Sequence, residues 1–263
     1  MKGETTVYNE RREQIRALLQ VKPFISIKEL EALFPDVSGM TLRRDIEYFE
    51  AEHEAIKVRG GARSMKFITT QTDGSIASRM HENVHSKDSI AQRAAEFLET
   101  GRSIFIDSGS TLQHIVQYVP NERFTFTTTD PAAAIELCKI GLPIANVVGG
   151  RLDRDNQTIT GLMATRFLAD INIDIALLSP SGLSVRSGFT VGNYSECELK
   201  RIVVEKARLV VILMDASKID KSLPYTFATF DSADVLITNA PLPAEMAQAA
   251  KERDVRVIDV SQD

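Results

Sequence analysis

Apolar residues recur along the chain with two different periods, and the change between them separates two regions. From Asn9 the spacing of Ile15, Leu18 and Leu19 fits one face of a helix. A second helix starts at Ser26-Ile27-Lys28-Glu29, where Ser at the N-cap and Glu three residues on form a capping box and Ile27, Leu30 and Leu33 line the buried side. Pro35-Asp36 ends it, and Ser38 offers the N-cap of a third helix whose Leu42, Ile46 and Phe49 recur at i, i+4, i+7. Residues 55–59 then alternate and meet Gly60-Gly61, the pattern of a strand entering a tight turn. The spacing predicts a winged helix-turn-helix over residues 1–62. Residues 63–79, rich in Ser and Thr and without a sustained period, read as a linker.

From residue 80 onward short apolar runs alternate with helical ones. Helices are expected at 80–99, 111–119, 131–140, 161–169, 195–206 and 243–252. Strands are expected in SIFID, FTFTTT, IANVV, IDIALL, ARLVVILM, DVLIT and VRVIDV. Strands separated by helices imply a doubly wound, mostly parallel α/β domain over residues 80–263.

Composition narrows the class of protein. With 43% hydrophobic and 25% charged residues among 263, the chain has the make-up of a globular protein with a real core. The longest apolar run, Leu209 to Met214, is far short of the roughly 18 residues a membrane span needs, so no membrane role is expected. The polar start MKGETTVYNERRE lacks the apolar segment of a signal peptide, and a cytoplasmic location is the expectation. Cys138 and Cys197 have no CxxC partner and no His at zinc spacing; both read as reduced packing residues, and neither metal nor cofactor is expected.

The net charge of -5 argues weakly against a nucleic-acid partner, because affinity for a polyanion is set by nearby Lys and Arg. Residues 1–66 hold 12 Lys+Arg against 11 Asp+Glu, and the remainder 19 against 25. The local contrast is sharper in AIKVRGGARSMK, residues 55–66, where Lys57, Arg59, Arg63 and Lys66 occur with no acid between them.

With Leu42, Ile46 and Phe49 facing inward, the opposite face of the third helix is centred on Met40 and Arg44, flanked by Thr41 and Arg43. An arginine pointing outward there can make two hydrogen bonds to guanine in a major groove, worth about 1–3 kcal/mol of discrimination. Ser38 and Thr41 suit phosphates or a thymine methyl. Lys57, Arg59 and Arg63 on the wing suit the DNA backbone. A plain three-helix bundle shows the same helices; the basic wing is what favours DNA.

A second candidate is IDSGST, residues 106–111, where a strand gives way to a helix. Asp107, Ser108, Gly109, Ser110 and Thr111 are small or polar, so backbone N–H groups and hydroxyls can approach an anion at a helix N-terminus. The stretch lacks the GKS of a nucleotide-binding loop, and an ordinary strand-to-helix turn looks the same. Other strand ends converge on the same edge of the sheet: Thr129-Asp130, Gly149-Gly150-Arg151, Ser179-Pro180-Ser181-Gly182 and Asp215-Ala216-Ser217-Lys218. Lys218 reads either as a salt-bridged surface lysine or as a cation facing a bound anion. His53, His81, His85 and His114 have no partner nucleophile, and Asp153 to Asn156 read as an exposed turn.

The succession VSGMTLRRDI, RGGA, DSGST, VVGG, ECELKR and DASK resembles the DeoR family of bacterial transcriptional regulators, from about Asn9 to the end. The resemblance implies a winged helix-turn-helix that binds double-stranded operator DNA and a C-terminal domain with the fold of ribose-5-phosphate isomerases that senses a phosphorylated sugar. It implies Ser108 to Thr111 as the phosphate cradle and Lys218 as a second anchor. Asp107, Asp130, Gly150, Arg151, Ser179, Ser181 and Lys200 complete the expected effector contacts. Three positions depart from the family pattern. The turn FPDVS is one residue longer, Asp130 stands where Thr-Asn is common, and Ser179 replaces the usual Gly.

The same likeness supplies a rival, a sugar-phosphate isomerase, which needs a base to move a proton. The isomerases' DGAD segment falls on Ser179 to Gly182 and their catalytic Glu on Lys200, so the carboxylates are missing. No catalytic residue is therefore expected. A metabolite-binding protein without a DNA role leaves Arg43, Arg44 and the wing unexplained. The expectation is a DNA-binding repressor, a homo-oligomer (dimer or tetramer) because one helix-turn-helix covers too few bases for genomic specificity.

Overall fold

A computed structural model of the chain describes residues 2–22, 24–52, 54–65 and 76–261, with side chains from residue 11 onward. Two units divide between residues 72 and 73, within the expected linker.

The first unit contains α1 (Lys2–Val21), β1 (Phe24–Ser26), α2 (Ile27–Leu33), α3 (Gly39–Ala51), β2 (Ala55–Val58) and β3 (Gly61–Ser64). Both serine caps form: Ser26 Oγ accepts the Glu29 N–H at 3.1 Å and Ser38 Oγ that of Thr41 at 3.2 Å. The capping box is only half made, because the Glu29 carboxylate pairs with Lys22. Ile15, Leu19, Leu30, Leu42, Ile46 and Phe49 pack into one core. The wing is a three-stranded sheet of order β1-β3-β2. Gly61 on β3 pairs with Ser26 of β1, and a Cβ there would lie 2.0 Å from the Ile25 carbonyl oxygen. Arg63 and Ser64 therefore belong to the wing, not to a linker. Residues 66–75 of the expected linker, with Lys66, and His53 lie outside the described residues.

The second unit opens with α4 (Ile76–Met80) and α5 (Val84–Ala95), in place of one helix over 80–99. The interruption falls at Asn83, whose φ is 52°. There follow β4 (Ser103–Ile106), α6 (Ser110–Ile115), β5 (Thr125–Thr128), α7 (Pro131–Cys138) and β6 (Ile144–Val147). A hairpin of β7 (Arg151–Leu152) and β8 (Ile159–Thr160) leads into α8 (Leu162–Ala169) and β9 (Ile173–Leu178). Next come β10 (Gly182–Ser184), β11 (Gly188–Val191), α9 (Tyr194–Lys206), β12 (Ala207–Leu213) and β13 (Tyr225–Ala228). Last are β14 (Val235–Thr238), α10 (Ala244–Glu252) and β15 (Arg256–Asp259).

Seven of these strands form a parallel sheet of order β15-β14-β12-β9-β4-β5-β6. Helices cover both faces, so the central strands are apolar on both sides. On β9, Ile175 and Leu177 enter one core while Ala176 and Leu178 enter the other. The doubly wound reading thus holds. The antiparallel sheet β10-β11-β13 was not legible, since SGLSVRSGFTV carries no period of its own. Among the described residues no helix is long and apolar enough to cross a membrane. Cys197 is buried, but Cys138 is exposed at the end of α7 and is no packing residue.

Candidate functional site

In the winged unit, α3 keeps one face against the core and turns Met40, Arg43 and Arg44 outward. What orients it was not visible in the apolar pattern. Asp45 is fully buried and takes Arg11 Nε at 2.7 Å on one oxygen and Arg12 Nε at 3.0 Å on the other. The Arg12 guanidinium also stacks on Tyr48, 3.5 Å from the ring centre. Two arginines of α1 thereby clamp α3 from its inner side. This leaves Arg43 and Arg44, the neighbours of Asp45, on the solvent side.

The two exposed arginines have different surroundings. Arg43 lines a groove with Lys28, Lys57 and the Gly60-Gly61 turn, between α2, α3 and the wing. Arg44 stands next to Glu47. Lys57 is not free on the wing: its Nζ donates to Glu47 at 2.6 Å, and its backbone N–H to Glu50 at 2.9 Å. That pairing, followed by the charge of Arg44, holds the Glu47 carboxyl below its ordinary value. Arg59 and Arg63 are exposed, and Ser38 and Thr41 share a hydrogen bond at 2.9 Å at the start of α3.

In the second unit the chain reverses its direction across the sheet between β4 and β9, which are neighbours although far apart in sequence. Ligand crevices in open α/β sheets lie at the carboxyl ends of strands at such a switch point. Here those ends are Asp107-Ser108 and Ser179. Ser108, Gly109, Ser179 and Ser181 line a small cleft at this point, together with Arg79, Asn156 and Glu196. Ser110 and Thr111 are buried in the first turn of α6. Gly109, with φ at 141°, is that helix's N-cap and offers no side chain.

Beneath the cleft lies a charged cluster. Asp107 pairs with Lys200, and its carboxylate also accepts the Ser179 N–H at 3.1 Å. Lys200 Nζ further contacts Glu196 at 3.1 Å and donates to the Ser179 carbonyl at 2.8 Å. Burial alone would lower the lysine pKa, but Asp107 and then Glu196 outweigh it, so Lys200 lies above its ordinary value and stays protonated. Burial, partly offset by Lys200, raises the Glu196 carboxyl. Lys200 thus supports the cleft from below and does not project into it.

Four expected contacts lie elsewhere. Asp130 is the buried N-cap of α7: one oxygen accepts from Ala132 and Ala133, and the other from Gln113 at 2.8 Å. Its carboxylate is used within the fold rather than offered to a ligand, and burial raises its pKa. Gly150 is required because a Cβ would lie 2.4 Å from the Thr160 carbonyl oxygen, and Arg151 is exposed on the hairpin. Lys218 follows β12, one strand beyond the switch point. It is close enough to the buried Lys87 to help depress that lysine's pKa, which burial chiefly lowers and Asp215 opposes. Among the described residues no group of three or more His, Cys, Asp or Glu is placed to hold a metal.

Comparison with known proteins decides what carries these two sites. Residues 11–67 match a DeoR-like helix-turn-helix domain, and residues 82–240 match the DeoR C terminal sensor domain. The chain belongs to the DeoR family. A transcriptional regulator, GlpR of Haloferax volcanii, is 30% identical over 84% of this chain and 86% of its own. A putative aga operon transcriptional repressor of Escherichia coli is 25% identical over 97% of this chain and 94% of its own. A solved ribose 5-phosphate isomerase A from Methanocaldococcus jannaschii aligns over 54% of this chain and 57% of that one, at 19% identity and a TM-score of 0.40.

This DeoR-family chain is accordingly a DNA-binding transcriptional regulator and not an enzyme. Sequence reasoning missed several residues that line or support these two candidate sites. Asp45 carries no signal in the apolar spacing of α3. Arg79 fell in the expected linker, and Asn156 in an expected exposed turn. That turn is held by Asp153, whose Oδ1 accepts the N–H groups of Asp155 at 3.0 Å and Asn156 at 2.9 Å. The signal that was available is the unusual order of charges in the Glu196 to Lys200 stretch, an i, i+4 acid–base pair on one helix face.

Proposed function

We propose that this regulator represses a carbohydrate-related operon, that it grips double-stranded operator DNA with α3 and the wing as a homo-oligomer, dimer or tetramer, and that a phosphorylated sugar or related metabolite in the sensor domain controls it. The observation that carries the sensing half is the meeting of two small-residue loops, Ser108-Gly109 and Ser179 to Ser181, at the switch point between β4 and β9. A phosphate there would meet backbone N–H groups at the start of α6 and the hydroxyls of Ser108, Ser110 and Thr111, with Lys218 as a cation one strand away.

The DNA half is supported by Arg43 and Arg44 on the open face of α3 and by Arg59 and Arg63 on the wing. Arg44 reads base edges, Arg43 reads base or phosphate from the groove side, and Ser38, Met40 and Thr41 meet the backbone and a thymine methyl at the helix start. Lys57 joins them by leaving Glu47 for a phosphate. Two such heads about 34–36 Å apart read a symmetric operator. Moving their arrangement from 1:99 to 99:1 needs about 5.5 kcal/mol of differential effector binding.

A thermal-shift screen against sugar phosphates tests the reading, since a ligand at 100 times its Kd adds about 2.7 kcal/mol of stability. The double variant Thr111→Ala with Lys218→Ala is expected to lose the effector response of operator binding while keeping operator binding itself. A retained response moves the pocket elsewhere.

A further inference from the structure

The cleft at the switch point is bridged by three side chains that the expected contacts did not include. Arg79 Nη2, on α4, donates to Asn156 Oδ1 at 2.9 Å, and Asn156 Nδ2 in turn reaches Glu196 Oε2 at 3.5 Å. The three face Ser108, Gly109 and Ser179 across a cavity of about 20 Å³. That is room for roughly one water molecule. Any sugar phosphate is many times larger, so a ligand enters only if one side of this bridge gives way.

The three members sit on three different elements. Glu196 is tied down by Lys200 at 3.1 Å, within the buried cluster. Asn156 is fixed through its backbone by Asp153. Arg79 rides on a five-residue helix, α4. The Ile76 N–H donates to the Asp155 carbonyl at 2.8 Å, and the Ile76 side chain is buried. At the other end the buried Lys87 donates to the carbonyls of Arg79 and Glu82, the latter at 2.6 Å. A helix this short gains little from its own hydrogen bonds.

We propose that Arg79, Asn156 and Glu196 form the second half of the effector site, reading the hydroxyl-bearing end of a sugar phosphate whose phosphate lies toward Ser108, and that Arg79 exchanges Asn156 for the ligand as α4 shifts. This rests on the phosphate reading given under Proposed function. The chemistry suits adjacent hydroxyls: a carboxylate accepts from them, a guanidinium donates to them, and an amide does both. Such a set rejects a ligand lacking the hydroxyls because its buried polar groups are then left unpaired.

The experiment uses the full chain and two probe classes, inorganic phosphate and a panel of aldose and ketose phosphates, with binding read by calorimetry. Arg79→Ala and Asn156→Ala are each expected to weaken the best sugar phosphate at least tenfold and to leave inorganic phosphate unchanged. Arg79→Lys, which keeps the charge and the helix, gives an intermediate loss and guards against a folding artefact. Unchanged sugar-phosphate affinity in both alanine variants overturns the proposal. Inorganic phosphate that still binds Thr111→Ala as it binds the parent counts against the cradle instead, so the two failures are separable. The chain contains no tryptophan, so Ala77→Trp on the exposed side of α4 is a single reporter: its emission is expected to change with sugar phosphate and not with inorganic phosphate. Binding without any emission change overturns the movement of α4.

Discussion

The Asp107 carboxylate accepts the Ser179 N–H at 3.1 Å, joining the ends of the two strands between which the sheet reverses, while Lys200 neutralises it from below. The two cleft loops are therefore held at one spacing by a buried ion pair, and that pair is intolerant of losing a partner. Lys200→Ala leaves the buried Asp107 and the part-buried Glu196 without their cation, at a cost of about 3–5 kcal/mol. Urea unfolding of the full chain measures it. A loss under about 1 kcal/mol would mean that the two carboxylates are neutralised in some other way.

Asp45 plays the corresponding part in the winged domain. Asp45→Ala leaves Arg11 and Arg12 without the carboxylate that ties α1 to α3, and about 3–5 kcal/mol of stability is expected to go with it. Operator affinity measured below the variant's unfolding transition also falls, because α3 loses its fixed orientation. A variant as stable as the parent contradicts the clamp.

On the outer face of the same helix, Arg44→Ala is expected to weaken a specific operator by about 1–3 kcal/mol and to relax base choice at one position. Arg59→Ala and Arg63→Ala instead weaken all sequences alike, each lowering the salt slope by about 0.9. Gel-shift titrations at several salt concentrations separate the two classes. An Arg44→Ala protein with parental affinity at moderate salt takes that residue out of the interface.

Glu47 holds Lys57 at 2.6 Å on the surface proposed to meet DNA. Glu47→Gln removes a negative charge and releases the lysine, so operator binding is expected to tighten several-fold. Weaker binding would show that the Glu47–Lys57 pair positions the wing for DNA.

Asp130 offers a test by pH. Burial raises its pKa above 3.8 in the folded state, so its contribution favours the fold below that ordinary value and is lost as pH rises through the folded one. Asn caps a helix nearly as well as Asp and does not titrate. Asp130→Asn is thus expected to be at least as stable as the parent near pH 7, with its advantage shrinking as the pH falls toward 3.8. A larger advantage in acid than at neutrality would reverse the sign and refute the burial argument.

How much was legible depended on whether a residue's role is local. Ser26 and Ser38 were readable as caps because a cap is made three residues away. The strands IDIALL and ARLVVILM were readable because a strand buried on both faces is apolar throughout. Arg79 and Asn156 were not, since they meet across 77 positions and neither sits in a periodic run. Lys87 was hidden for a related reason: a lysine on an amphipathic helix reads as solvated, and only the packing of α5 shows it turned inward onto the carbonyls of Arg79 and Glu82.

By itself, then, the order of residues determined the two-domain plan, the outward face of α3, and the two strand-end loops that meet at the cleft. Each follows from spacing along the chain, which sequence records directly. Tertiary structure alone decided which charges are spent inside. It set Asp45 against Arg11 and Arg12, Asp107 and Glu196 against Lys200, and Asp130 against Gln113 and its own helix. The physical reason is that desolvating a charge costs several kcal/mol unless a partner is brought to it, and which partner arrives depends on how distant elements pack.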